Sequence, residues 1–118
     1  MGTFRVAIEI ANMAGGRFER VEALVDTGAT HTLLPQDVLD RLGVQPRGNR
    51  RFILADGREV LYPTACVNAK IDGEVQPTIV VFGAAGCDAL LGAVTLEEFG
   101  FAADPIRRQL IAVPGLLK

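Results

Sequence analysis

Residues 23–29 read Ala23-Leu24-Val25-Asp26-Thr27-Gly28-Ala29, an apolar strand that ends in an acid and passes at once into a tight-loop sequence. A carboxylate at the end of a buried strand is costly unless it meets a special environment. Gly28 permits close backbone approach, and the Thr27 hydroxyl can lock the loop by hydrogen bonding. Asp26 is therefore the first candidate for chemistry.

On the N-terminal side, Phe4 to Ala11 and Arg17 to Val25 alternate as strands do, separated by Asn12-Met13-Ala14-Gly15-Gly16, and predict an opening β-hairpin. On the other side, Leu33-Leu34-Pro35 is expected to open a helix over Pro35 to Leu42. Its Leu34, Val38, Leu39 and Leu42 share one face, and Gly43 lies just past its end.

Two further hairpins are expected at Asp-Gly pairs, which accept the positive φ angles of primed turns. Arg51 to Ala55 and Arg58 to Tyr62 flank Asp56-Gly57; Thr64 to Ile71 and Val75 to Phe82 flank Asp72-Gly73. Thr95-Leu96-Glu97-Glu98 has the capping-box pattern of a second short helix, with Gly100 close behind. Asp104-Pro105 then turns the chain into a last strand, Gln109 to Val113, that stops near Pro114-Gly115. The reading is mostly β with two short helices in a single domain, residues 1–118, without linker, low-complexity tract or internal repeat.

Composition narrows the function. With 49% hydrophobic and 22% charged residues the 118-residue chain can bury a core and is not a disordered tail. Its net charge is -2, and its basic residues are scattered apart from Arg47, Arg50 and Arg51, which argues against a nucleic-acid partner. Cys66, Cys87 and the single His31 do not make a metal-ligand spacing. Each cysteine reads as a small buried hydrophobe, with a disulfide between them left open. No apolar run is long enough to span a bilayer, the start MGTFRVAIEI lacks a secretory pattern, and Val6 stands where a myristoylation signal has Ser or Thr. A cytoplasmic, non-membrane protein is the expectation.

Val25-Asp26-Thr27-Gly28-Ala29 resembles the active loop of the retropepsin-like aspartic proteases: hydrophobic residue, Asp, Thr or Ser, Gly, Ala. Ala89-Leu90-Leu91-Gly92, ahead of the helix at Thr95, is similar to the family's second signature, which packs behind that loop. Ile53 to Glu59 between them looks like its flap hairpin. A lone Asp-Thr-Gly arises by chance in about one of twenty chains of this composition; the ordered set across nearly the whole chain is far more specific.

The resemblance implies a closed β-barrel, acid-protease fold that is one half of a symmetric homodimer, acting on peptide or protein without metal or cofactor. The catalytic set would be Asp26 from each subunit, supported by Thr27, which hydrogen-bonds across the dimer axis, and Gly28. Ala29, Thr30, Ala55, Asp56 and Gly57 would contact substrate. Where retroviral members carry two acidic residues after the Ala, this chain has Thr30-His31, and its flap and added helix look more like bacterial or cellular relatives.

Each motif also has a plainer meaning. Asp26 could cap a turn, and Asp56-Gly57 would make a hairpin turn in any β protein. His31, near the active loop, could be a substrate or pH-sensing contact, but the favoured reading is an exposed or partner-satisfied histidine without a role. A non-catalytic dimerisation or peptide-binding module on the same fold is the alternative to an endopeptidase.

Overall fold

A computed structural model describes residues 4–117. The reading of the N-terminal signal rests partly on Met1–Thr3, which lie outside them. The strands are β1 (Arg5–Asn12), β2 (Glu19–Val25), β3 (Thr32–Pro35), β4 (Gly48–Ile53), β5 (Glu59–Ile71), β6 (Glu74–Gly83), β7 (Ala89–Leu91), β8 (Phe101–Asp104) and β9 (Gln109–Ala112). The helices are α1 (Gln36–Arg41) and α2 (Ala93–Phe99).

The main sheet runs β1-β2-β7-β3-β6-β5-β4, and β1 pairs again with β5, so all but β4 close into a barrel. Closure removes the open edges that a flat sheet would expose. Alternation along the strands fills the interior: Val21, Ala23 and Val25 of β2 point inward, as do Ala65, Val67, Ala69 and Ile71 of β5. They meet Ile8, Ile10, Leu34, Leu39 and Leu91 in one core.

The expected first hairpin forms, with β1 and β2 antiparallel from Arg5↔Leu24 to Ile10↔Glu19. The two segments expected around Tyr62 and Thr64 are one 13-residue strand, β5. Its first half pairs with β4 and its second with β6, so the β4–β5 hairpin is a continuation of the barrel wall. Asp72 (φ 52) and Gly73 (φ 81) both take left-handed angles and make the expected primed turn. At Asp56-Gly57 only Gly57 (φ 88) does so. The Gly57 N–H donates to the Leu54 carbonyl at 2.9 Å and the Leu54 N–H to the Arg58 carbonyl at 2.8 Å, a three-residue loop with a glycine bulge.

The helix expected to open at Leu33-Leu34-Pro35 begins later, at Gln36. Thr32–Pro35 are instead strand β3, which lies parallel to Val80–Gly83 and meets Leu90 of β7 through Leu33. Ladder partners on both sides outweigh local helix propensity here, and Pro35, extended at ψ 140, is the residue before the helix. The Arg41 guanidinium at the far end of α1 reaches Glu19 of β2 and Asp37.

After α2 the chain makes a small separate sheet. Phe101–Asp104, not foreseen as a strand, pairs with β9 from Phe101↔Ala112 to Asp104↔Gln109. Cys66 and Cys87 are half-buried free thiols.

Candidate active site

β2 delivers Asp26 to the barrel rim next to β7, with which it runs parallel through Val25↔Leu91. The Asp26 N–H donates to the Leu91 carbonyl at 3.0 Å, extending that ladder by one bond. The chain then turns back on itself. The Ala29 N–H donates to the Asp26 carbonyl at 3.1 Å, and the Gly28 N–H donates to Asp26 Oδ1 at 3.0 Å. A Cβ on Gly28 would lie 3.2 Å from that oxygen, so glycine suits the close approach. Within the chain these two amides close the loop, and Thr27 is exposed.

The loop is buttressed from behind. The first amides of a helix lack intrahelical partners, and those of α2 find them on the loop: Ala93 N–H to the Ala29 carbonyl at 2.9 Å, Val94 N–H to the Thr30 carbonyl at 3.0 Å. Gly92, at the N-cap, makes this approach possible, since a Cβ there would stand 2.5 Å from the His31 carbonyl carbon.

The capping box expected at Thr95 does not form. The helix starts at Ala93 without a side-chain cap, which places Thr95 inside it and buried. Its hydroxyl instead joins a chain of bonds: Gly92 N–H to Thr32 Oγ1 (3.1 Å), Thr32 to Thr95 (2.7 Å), Thr95 to Thr78 (2.9 Å), and Thr78 to Glu98 Oε1 (2.6 Å). A hydroxyl carries one proton. Because Thr78 gives its proton to the carboxylate, Thr95 must donate to Thr78 and Thr32 to Thr95. The chain therefore runs one way, from the Gly92 amide to Glu98.

A cleft of about 420 Å³ opens between this loop and the β4–β5 hairpin. Gly28, Ala29, Thr30 and His31 line one side, Arg50, Phe52, Leu54 and Tyr62 the other, and Leu33, Val81 and Leu90 are among its apolar walls. His31 stands edge-on to Phe52 with ring centroids 6.0 Å apart, and Phe52 packs against Tyr62 at 6.1 Å. The reading of His31 as exposed or satisfied is corrected: it is half-buried, and both ring nitrogens are buried without a hydrogen-bond partner. Burial, with the Arg50 charge as the second cause, pushes its pKa below the usual 6.5; Glu98 opposes weakly.

The residues singled out in the sequence thus divide into two groups. Gly28, Ala29 and Thr30 line the cleft, with Asp26 and Thr27 at the start of the same loop. Ala55, Asp56 and Gly57 sit exposed at the hairpin turn and are not among the lining. The Asp56 carboxylate is occupied by the Arg58 backbone N–H (3.0 Å) and Nε (2.7 Å), which hold its pKa below the usual carboxylate range. Sequence reasoning missed Arg50, Phe52 and Tyr62. Period-two alternation back from Leu54 marks Phe52 and Arg50 as one face of β4.

A closed barrel with an Asp-Thr-Gly loop, a buttressing strand-Gly-helix segment and an overlying hairpin is the fold of the retropepsin-like aspartyl proteases. The chain belongs to the family described as "gag-polyprotein putative aspartyl protease", whose sequence profile matches residues 13–98. Among solved structures, the solution structure of the simian foamy virus (mac) protease superposes with a TM-score of 0.59 at 19% identity, over 80% of this chain and 93% of that one. This likeness is one of fold. No curated protein matches the sequence.

Proposed function

We propose that the protein is a homodimeric aspartic endopeptidase in which each subunit supplies one Asp26. The observation that carries this reading is Asp26 at a barrel rim, its Oδ1 oriented by the Gly28 amide, in a loop that floors a hairpin-covered cleft. With one Asp-Thr-Gly per chain, the second carboxylate comes from a second copy. The detached β8–β9 sheet supports pairing, since strand edges and the exposed Ile111, Val113, Leu116 and Leu117 lie there for a second copy to cover.

Two facing carboxylates cannot both ionise cheaply, and aspartic proteases are themselves the standard instance of this coupling. One Asp26 acts as general base on a water that attacks the peptide carbonyl. The other, protonated, donates to the carbonyl oxygen as it gains charge. The titration belongs to the pair and not to either residue. Substrate lies extended under the hairpin, its backbone pairing with strand edges and alternate side chains entering pockets. Thr27 braces the two loops across the dimer axis, and the turn at Ala55, Asp56 and Gly57 closes over bound peptide.

The test uses a diverse peptide library incubated with the wild-type protein and with Asp26→Asn from mildly acidic to neutral pH. Cleavage is read by mass spectrometry and oligomeric state by light scattering. Cleavage that vanishes in a folded, dimeric Asp26→Asn variant is expected. Peptide binding without cleavage by a folded wild-type dimer at any pH would overturn the enzyme reading in favour of a peptide-binding module.

A further inference from the structure

We propose that the cleft carries a cationic subsite centred on Arg50 that selects substrates with an acidic side chain; this rests on the peptidase reading and narrows its substrate class. The charged residues lining the cleft are Arg50 and Arg51, joined by His31; no Asp or Glu lines it.

Strand geometry separates the two arginines. Arg50 is opposite Tyr62 in the β4–β5 register, and Arg51 is opposite Leu61. Directly opposed residues share a face, so Arg50, Tyr62 and Phe52 form the inner face of the hairpin, where Phe52 meets His31. Arg51 shares the opposite face with Ile53 and Leu61, both largely exposed; with Ile53 it reaches the cleft only at its rim, and it lies 3.6 Å from Glu59.

The nearby carboxylates are engaged elsewhere. Asp26, at the start of the loop on the cleft floor, accepts the Gly28 amide; Asp56 is held by Arg58, Glu59 by Arg51, and Glu98 accepts the Thr78 hydroxyl. Arg50 has no ion pair among the described residues. Its guanidinium, always charged and shaped for a carboxylate, joins Phe52 and Tyr62 on the hairpin side of a cleft that Leu33, Val81 and Leu90 also line. A Glu or Asp side chain seated there completes the Arg50 pair; a Lys side chain meets repulsion.

The test takes one cleaved peptide, acetylated at its N-terminus and amidated at its C-terminus so that only side chains carry charge, and walks Glu, Gln and Lys through the positions on both sides of the scissile bond. At one position or more, kcat/KM is expected to favour Glu over Lys by about tenfold, and the preference shrinks as salt is added. Arg50→Glu reverses it, so that the Lys peptide becomes the better substrate, a gain that misfolding cannot produce. Equal rates for all three peptides at every position, or a preference unchanged in Arg50→Glu, would overturn the subsite while leaving the peptidase intact. If no peptide is cleaved, the same series is titrated onto the protein by fluorescence polarisation. Tighter binding of the Glu peptide that reverses in Arg50→Glu upholds the subsite without the catalysis; its absence overturns the subsite.

Discussion

Replacing Gly92 by Ala tests how the Asp26 loop is held. Gly92 has φ -93 and ψ 173, angles that Ala adopts freely, so the substitution introduces no backbone strain of its own. The obstacle is space: the new Cβ would lie 2.5 Å from the His31 carbonyl carbon, 2.6 Å from its oxygen and 2.9 Å from the Thr32 nitrogen. All three are backbone atoms and cannot swing aside as a side-chain end can. Overpacking of this kind costs about 1–3 kcal/mol. Separating residues 31 and 32 from Gly92 also stretches the Gly92–Thr32 bond and the amide bonds from Ala93 and Val94, at about 1 kcal/mol for each bond lost. Lower entropy of the unfolded chain returns about 0.4–1 kcal/mol.

The net expectation is a loss of about 3 kcal/mol, or a fall of about 1.5 M in the urea midpoint at a slope of about 2 kcal/mol/M. The assay is urea unfolding followed by circular dichroism at one fixed protein concentration, because the proposed pairing would make stability concentration-dependent. Two controls set the scale. Gly115→Ala meets nothing within 4 Å and is expected to stay within about 0.5 kcal/mol of wild type. Gly83→Ala meets Cys87 Sγ and Leu33 Cδ2 at 2.7 Å, movable side-chain atoms, and is expected between the two. A Gly92→Ala midpoint equal to that of Gly115→Ala would refute the close-approach argument.

Thr95→Val keeps the side-chain shape but cuts the hydroxyl chain, leaving Thr32 without its acceptor and Thr78 without a donor; a loss of about 1–3 kcal/mol is expected, with Thr95→Ser recovering most of it. His31 is the only histidine, and its pKa is lower in the folded state, so the unfolded chain binds the proton more readily. Its contribution therefore makes stability rise with pH between the depressed folded value and 6.5, and it is complete above 6.5. A His31→Asn minus wild-type difference that stays flat across that window, measured by chemical unfolding, would show that the imidazole is not desolvated.

Much of the local architecture was legible before any tertiary contact was known. Alternation marked β1 and β2, and Asp72-Gly73 marked a primed turn because both residues accept positive φ; these signals work over a few residues, within reach of backbone sterics and strand period. The link between Asp26-Thr27-Gly28 and its support at Leu90-Leu91-Gly92 came from the resemblance to the protease family. The misreadings fall where a distant partner competes with a local preference. Leu33-Leu34-Pro35 is strand because β6 and β7 offer ladders on both sides, and Thr95 leaves its expected capping role because Thr32 and Thr78 reach it inside the barrel.

The sequence by itself determined a mostly β chain with two short helices and an Asp-Thr-Gly loop at a strand end, since each is written in residues close together; the support and the covering hairpin were legible only through the resemblance to a family. Only the tertiary structure decided that β1 returns to β5 to close the barrel, that His31 loses water under Phe52, and that Arg50 stands across the cleft from it. Residues 31 and 50 belong to different strands and connecting segments. Their meeting depends on which strands pair and in what register, a matter of long-range closure and core packing that no local pattern encodes.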